Sequence, residues 1–267
     1  MPMNPRLLRP LATRGLDADA RTYIAAVEAA DGETLEQGVK TAINDFVTGC
    51  KSDGIWDAIK ASCILAGART LAGALTPLKG TAPTNNGPFV SSDYNRETGL
   101  VGNGTSKYLD TNRANDGDPE DDQHLSVYVS TAATDAFSVY IGASPPATAG
   151  ASQIGQNTNT GELFLRSRSD SADFPTNPSI DNLSNGFLGI SRNNGASFSL
   201  RAESASETFA RSSDTPSVQN VGVFFRVGAT TGYSNGRIAF YSVGESLDLA
   251  QLDTRVSALI SAIGAAI

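Results

Sequence analysis

Cysteine, histidine and long apolar runs are all scarce in this chain, and each shortage removes a class of protein. Only Cys50 and Cys63 are cysteines among 267 residues, too few for a disulfide-dense secreted scaffold. In their apolar surroundings they read as free buried thiols. His124 is the single histidine, so a Ser-His-Asp triad or a His-rich zinc site would have to be built around that one position. Its place at the head of the apolar run 125–129 suggests an edge residue. No apolar run approaches the ~18 residues of a membrane span, and membrane insertion is not expected. The opening residues lack the apolar core of a secretory signal, so folding in a cytoplasm is expected. Basic residues number 20 against 28 acidic, a net charge of −8, which leaves no electrostatic case for a nucleic-acid partner.

A glycosidase-type carboxylate pair is also missing. Glu203 and Glu207 come nearest, sharing one strand face, but a four-residue rise separates them by about 13 Å. That exceeds the carboxyl spacing of either glycosidase geometry. No catalytic residue is assigned, and the chain is expected not to be an enzyme.

What is present divides into three parts. Residues 1–16 carry Pro2, Pro5 and Pro10, which block regular helix and favour an extended arm. Arg6, Leu7, Leu8, Arg9, Leu11 and Arg14 give that arm apolar and charged grips for docking, either along its own domain or on a neighbour. Residues 17–61 read as helical. Asp17 is a plausible N-cap for a helix near 18–30, and Thr34 and Gln37 stand in capping-box spacing before a second helix at 35–49. Residues 53–60 suggest a short third helix in which Trp56 anchors the helices to the remainder.

From residue 62 to 267 short apolar runs are cut by Gly, Pro, Asn and Ser at fairly regular spacing, as in an all-β sandwich. Strands are expected at 62–67, 107–111, 124–130, 136–143, 162–168, 186–192, 196–203, 220–228 and 236–243. Asn193-Asn194-Gly195 is the clearest hairpin turn, a place where positive φ angles are expected. An amphipathic helix from about 247 to 263 closes the chain, and its apolar stripe needs a sheet or a neighbouring chain to cover it.

Two constellations invite a ligand. The loop 115–124 holds Asp116, Asp118, Glu120, Asp121 and Asp122 and reads either as a solvated acidic turn or as an oxygen-rich calcium loop. Amphipathic tyrosines, chiefly Tyr94, Tyr108 and Tyr233, are candidates for stacking on a glycan. Asn- and Ser-rich loops at 156–161, 176–185 and 230–236 offer the hydrogen bonding that sugar hydroxyls use.

The segments Ala25–Gly32, Gly54–Cys63, Ala66–Thr111 and Gly236–Leu247, with the helix that follows, resemble those of tailed-phage appendage proteins carrying a concanavalin A-like (laminin G-like) module. The resemblance covers most of residues 20–267. It implies a mainly β, jelly-roll sandwich with an N-terminal helical segment and a C-terminal helix. It implies a virion structural protein, assembled in the bacterial host cytoplasm, in a tail fibre, tail tip or capsid-surface appendage. Other virion proteins would be partners through the N-terminal arm, which is itself similar to arms of other phage proteins. A homo-oligomer and contact with host-surface glycan are further expectations of that resemblance. The alternatives are a carbohydrate-active enzyme of the same fold and a purely structural cement or decoration protein.

Overall fold

The computed structural model describes residues 15–145, 149–157, 159, 162–180 and 185–267. Arg6, Leu7, Leu8, Arg9, Leu11 and Arg14 of the expected docking arm therefore lie outside the described residues.

Two sheets and a helical layer make up the fold. The first sheet joins β1 (Ile59–Ile64), β3 (Tyr94–Asn95), β4 (Gly99–Val101), β6 (Gln123–Thr131), β10 (Gly186–Asn194), β11 (Ser197–Ala202), β12 (Ala205–Phe209) and β15 (Arg237–Gly244). Its order is β12-β11-β10-β6-β15-β4-β3, with β1 also paired to β15. The second joins β2 (Thr84–Asn86), β5 (Tyr108–Ala114), β7 (Ser138–Ala143), β8 (Ala151–Asn157), β9 (Glu162–Ser169), β13 (Asn220–Val223) and β14 (Arg226–Val227). Here the order is β2-β5-β13-β7-β8-β9, and β14 adds to β7 in parallel, the exception among otherwise antiparallel pairs.

Strand alternation explains the layering. Val127, Leu188, Leu200 and Val243 turn inward from the first sheet to meet Leu109, Ile141, Ile154 and Leu165 of the second. Phe187, Ala239 and Phe240 turn outward and share a separate core with the helices. Those helices are α1 (Ala18–Asp31), α2 (Gln37–Ser52), the single-turn α3 (Leu71–Ala74) and α4 (Leu249–Ala266). The α4 stripe, Leu249, Leu252, Val256, Leu259, Ile260 and Ile263, is buried in that core, each side chain contributing roughly 1.5–3 kcal/mol relative to exposure. Its cover is thus the first sheet and α2. Gly38 of α2 permits the close approach, since a Cβ there would lie 2.6 Å from Ala266. The helical layer belongs to the first sheet alone, which leaves the outer face of the second for other use.

Local structure departs from expectation where side chains take over roles assigned to the backbone. Asp17 caps α1 as expected, its Oδ1 accepting from the Asp19 N–H. No capping box opens α2: Glu36 is its N-cap and makes no side-chain cap, because its carboxylate is held by Arg96 and Arg69. The third helix is absent. Residues 53–58 form turns and β1 begins at Ile59, yet Trp56 anchors as expected, buried in the helical core with its N–H donating to Asp19. The Asn193-Asn194-Gly195 hairpin exists without positive φ. Instead Asn194 Oδ1 accepts from the N–H groups of Ala196 and Ser197, an Asx turn. Left-handed angles fall in the next hairpin, at Glu203 (φ 48°) and Ser204 (φ 63°) between β11 and β12. Glu203 and Glu207 therefore do not share a strand face.

Both cysteines are free and buried, and burial pushes each thiol up to about 12.

Candidate functional site

The acidic loop does not gather its carboxylates. Asp118 pairs with Arg113, Asp121 accepts from the Ser213 hydroxyl at 2.6 Å, and Asp122 accepts from the Ser246 N–H at 2.5 Å. Asp116 and Glu120 are exposed. No trio of acidic, histidine or cysteine side chains converges on a metal position among the described residues. What the loop surrounds is a guanidinium. Arg168 is wholly buried and donates to the carbonyl oxygens of Asn115 (2.7 Å), Glu120 (2.9 Å) and Pro119. It occupies a bulge at the end of β9, opposite Ala151 and Ser152, in a left-handed conformation (φ 49°). The extra residue of a bulge leaves the ladder and can be re-aimed, which is how an arginine on a strand comes to fill the loop. Burial pushes its pKa down to about 10, against the pull of Asp118 and Asp122. The loop read either as a solvated turn or as a calcium loop is filled by an arginine.

His124 is not an edge residue. It lies in β6, between β10 and β15, and is wholly buried. Its Nδ1 lies 2.6 Å from the Glu245 carbonyl, which can only accept, so Nδ1 carries the proton and Nε2 accepts from the Ser242 hydroxyl at 2.9 Å. Ser126 extends the chain at 2.7 Å. The fold thus brings a serine hydroxyl, Ser242, to the one histidine. Both are sealed between sheet and helices, where no substrate can reach them. Burial pushes the imidazole down to about 4. Glu207 is equally committed, its carboxylate accepting from the backbone N–H of Thr176 and Asn177 and from the Thr176 hydroxyl.

The three tyrosines part company. Tyr94 is largely buried between the two cores and donates to the Ala68 carbonyl at 2.7 Å. Burial raises its pKa. Tyr108 and Tyr233 do converge, in a three-ring cluster with Phe225: the Phe225 and Tyr233 rings stack at 4.0 Å, Tyr108 lies 5.2 Å from Phe225, and the two tyrosine rings are 6.3 Å apart. Phe224, at φ 70°, supplies the reversal that sends its own ring into the main core, while Phe225 is buried against Tyr108 and Tyr233.

The outer face of the second sheet holds a depression of about 170 Å³. Phe137, Phe164, Phe174, Gln153, Asn157, Arg166, Ala172 and Arg226 line it. Phe137 stacks on Phe164 with centroids 4.7 Å apart and planes 8° from parallel. Phe137 and Phe174 remain 38% and 49% exposed, unusual for phenylalanine and a mark of a contact surface when clustered. The Arg226 guanidinium lies 5.1 Å from the Phe137 ring centroid and donates to Gln153 Oε1 at 3.3 Å. Burial lowers the pKa of both Arg226 and Arg166, and for Arg226 the charge on Arg166 lowers it further. The sequence reading missed these residues. One signal was present: Phe164 and Arg166 alternate with Leu163 and Leu165, which assigns them to the outer face of one strand. The Asn- and Ser-rich loops at 156–161 and 176–185 fall partly outside the described residues.

No protein-family model matches the chain, and no curated protein matches it in sequence. Solved structures do resemble it. A Trypanosoma rangeli sialidase in complex with 2,3-difluorosialic acid superposes with a TM-score of 0.50 at 11% identity, over 78% of this chain and 34% of that one. The binding domain of botulinum neurotoxin serotype D gives 0.48 at 10% identity, over 79% and 52%. The sialyllactose-bound CBM40 of the Ruminococcus gnavus IT-sialidase gives 0.36 at 14%, over 54% and 83%. The chain thus spans about a third of the first structure and about half of the second. At such identities the likeness speaks for the fold alone. That fold is the mainly β, concanavalin A-like jelly-roll sandwich expected from the sequence.

Proposed function

We propose that this protein binds saccharide on a host surface, as a structural component displayed on a phage particle, and that the depression on the second sheet is its binding site. The observation that carries the binding role is the meeting of Phe137, Phe164 and Phe174 with Gln153 and Arg226 on a sheet face that the helical layer leaves open. Aromatic faces stack on the apolar faces of sugar rings while amide and guanidinium groups take their hydroxyls, the usual build of a site with a few polar groups on an apolar wall. The particle role is supported by the sequence resemblance along residues 20–267 and by the proline-broken, arginine- and leucine-bearing arm. Tail fibre, tail tip and capsid-surface positions fit it equally.

The protein is a binder and not a hydrolase in this reading. Glu207 is spent on the 176–177 backbone, Glu203 sits in a turn, and His124 is sealed. Single-site affinity is modest, and repetition on the particle supplies strength.

The test uses host cells and extracted surface polysaccharide. Intact protein, fused or assembled as a multimer, binds both without releasing reducing sugar, and Phe174→Ala abolishes binding while leaving the melting temperature unchanged. Binding unaffected by Phe174→Ala and Phe164→Ala would remove the site. Antibody labelling of purified particles tests the particle role, and unlabelled particles would refute it.

A further inference from the structure

Among the described residues, one cation of the depression, Arg226, pairs with no carboxylate. Arg69, Arg96, Arg113, Arg201, Arg211 and Arg255 each pair with a carboxylate. Arg226 does not. Among the described residues its only acceptors are the Gln153 amide oxygen at 3.3 Å and the Thr231 carbonyl at 3.4 Å, both neutral and both long. Nη2 has no acceptor there at all. Arg166 stands in the same depression, donating to the Asp170 carbonyl at 3.1 Å. Asp170 and Asp173 act on Arg166, and Asp173 is also held in a fork by Arg211.

Arg226 is half-buried with only neutral acceptors among the described residues, and an anion beside it would offset that desolvation. In a chain of net charge −8, such a patch is a local exception to the overall field. The Phe137 ring under Arg226 fixes the plane of the guanidinium, and a planar fork with a free edge suits a carboxylate bidentately. The volume, about 170 Å³, corresponds to roughly five or six waters, the space of one sugar ring.

We infer that the saccharide taken here is acidic, a sugar whose ring carboxylate is received by Arg226 with Arg166 alongside while the ring packs against Phe174. This rests on reading the depression as a saccharide site. It adds the chemical class of the ligand and names Arg226 as the residue that selects it.

The experiment compares three probes by calorimetric titration: an oligogalacturonide, its methyl ester, and a glycerol-phosphate oligomer. With the intact protein the oligogalacturonide binds at least tenfold more tightly than the ester, and rising salt weakens it. Arg226→Gln removes that preference, so that acid and ester bind alike. Arg226→Lys, which keeps the charge without the fork, recovers only part of it, and thermal melts of both variants match the parent. Equal binding of acid and ester, with both lost in Phe174→Ala, would overturn the acidic ligand and leave the saccharide site standing. A glycerol-phosphate oligomer bound in preference to the oligogalacturonide would overturn the carboxylate. Failure of both sugars to bind would remove the site itself.

Discussion

The Arg168 guanidinium donates to the Asn115 carbonyl oxygen at 2.7 Å, deep inside a loop whose side chains are largely acidic. The loop is closed by this cation and not by its own carboxylates, since the carbonyls of Pro119 and Glu120 point to the same group. Replacing Arg168 with Met strands these carbonyls in a buried space. A loss of about 3 kcal/mol is expected, within the range for breaking a buried charged network. Urea unfolding measures it, and added calcium should restore nothing. Recovery of stability with calcium would mean that the loop retains a metal geometry after all.

Acid should weaken the fold through His124 before it does so through carboxylates. The folded imidazole titrates at about 4, held down by burial, below the ordinary value of about 6.5. Between these values the unfolded chain binds a proton that the folded chain refuses. The contribution is therefore complete above pH ~6.5 and lost as pH falls toward 4, amounting to on the order of 3 kcal/mol. Asp17, Glu28 and Glu36, all held below the usual carboxylate range by lysine or arginine partners, add their losses only below about pH 4.5. Denaturation midpoints at pH 7.0, 6.0 and 5.0 measure the slope, which His124→Asn should flatten. The His124 ring protons, followed by NMR, should show no titration near 6.5.

The turn at Glu203 and Ser204 can be improved. Both residues hold left-handed angles in a two-residue hairpin loop, the geometry that Asn-Gly adopts at least cost. Glu203→Asn with Ser204→Gly should raise stability by about 1 kcal/mol, read as a higher melting temperature. Unchanged saccharide binding is expected, since this hairpin lies in the first sheet.

Gly232 links stability to the site. Its φ is 99°, and a Cβ there would lie 3.1 Å from the Phe137 ring. Gly232→Ala must therefore strain the backbone and displace the ring on which Arg226 lies. Binding should fall severalfold more than the melting temperature implies, measured by titration beside a thermal melt. A variant that binds normally would detach Phe137 from the site.

Much of the fold was legible because its carriers are periodic. The 3.6-residue stripe of α4 and Asp17 as a cap both follow from local pattern. β8 was not legible: Ser152, Gln153 and Gln156 are polar yet buried, paid for by hydrogen bonds to Gln123, Arg226 and Tyr140 that no local rule foretells. The site divides the same way. Tyr108 and Tyr233 were identified from their chemistry, and their meeting at Phe225 depends on the reversal at Phe224. Arg168 was missed because a bulge turned a strand arginine into the filling of a distant loop. Phe174 and Arg226 come together from segments 52 positions apart in sequence, through pairings of β7, β8, β9 and β14 that a linear reading does not contain.

The central claim is that saccharide binds on the outer face of the second sheet, and amide chemical-shift mapping tests it most directly. Isotopically labelled protein is titrated with fragments of host-surface polysaccharide. The account predicts shifts that saturate and cluster on the backbone amides of Phe137, Gln153, Phe164, Phe174 and Arg226, with Tyr94, the 115–122 loop and α4 unmoved. Shifts centred on the 115–122 loop or on Tyr94, or none at saturating polysaccharide, would contradict it.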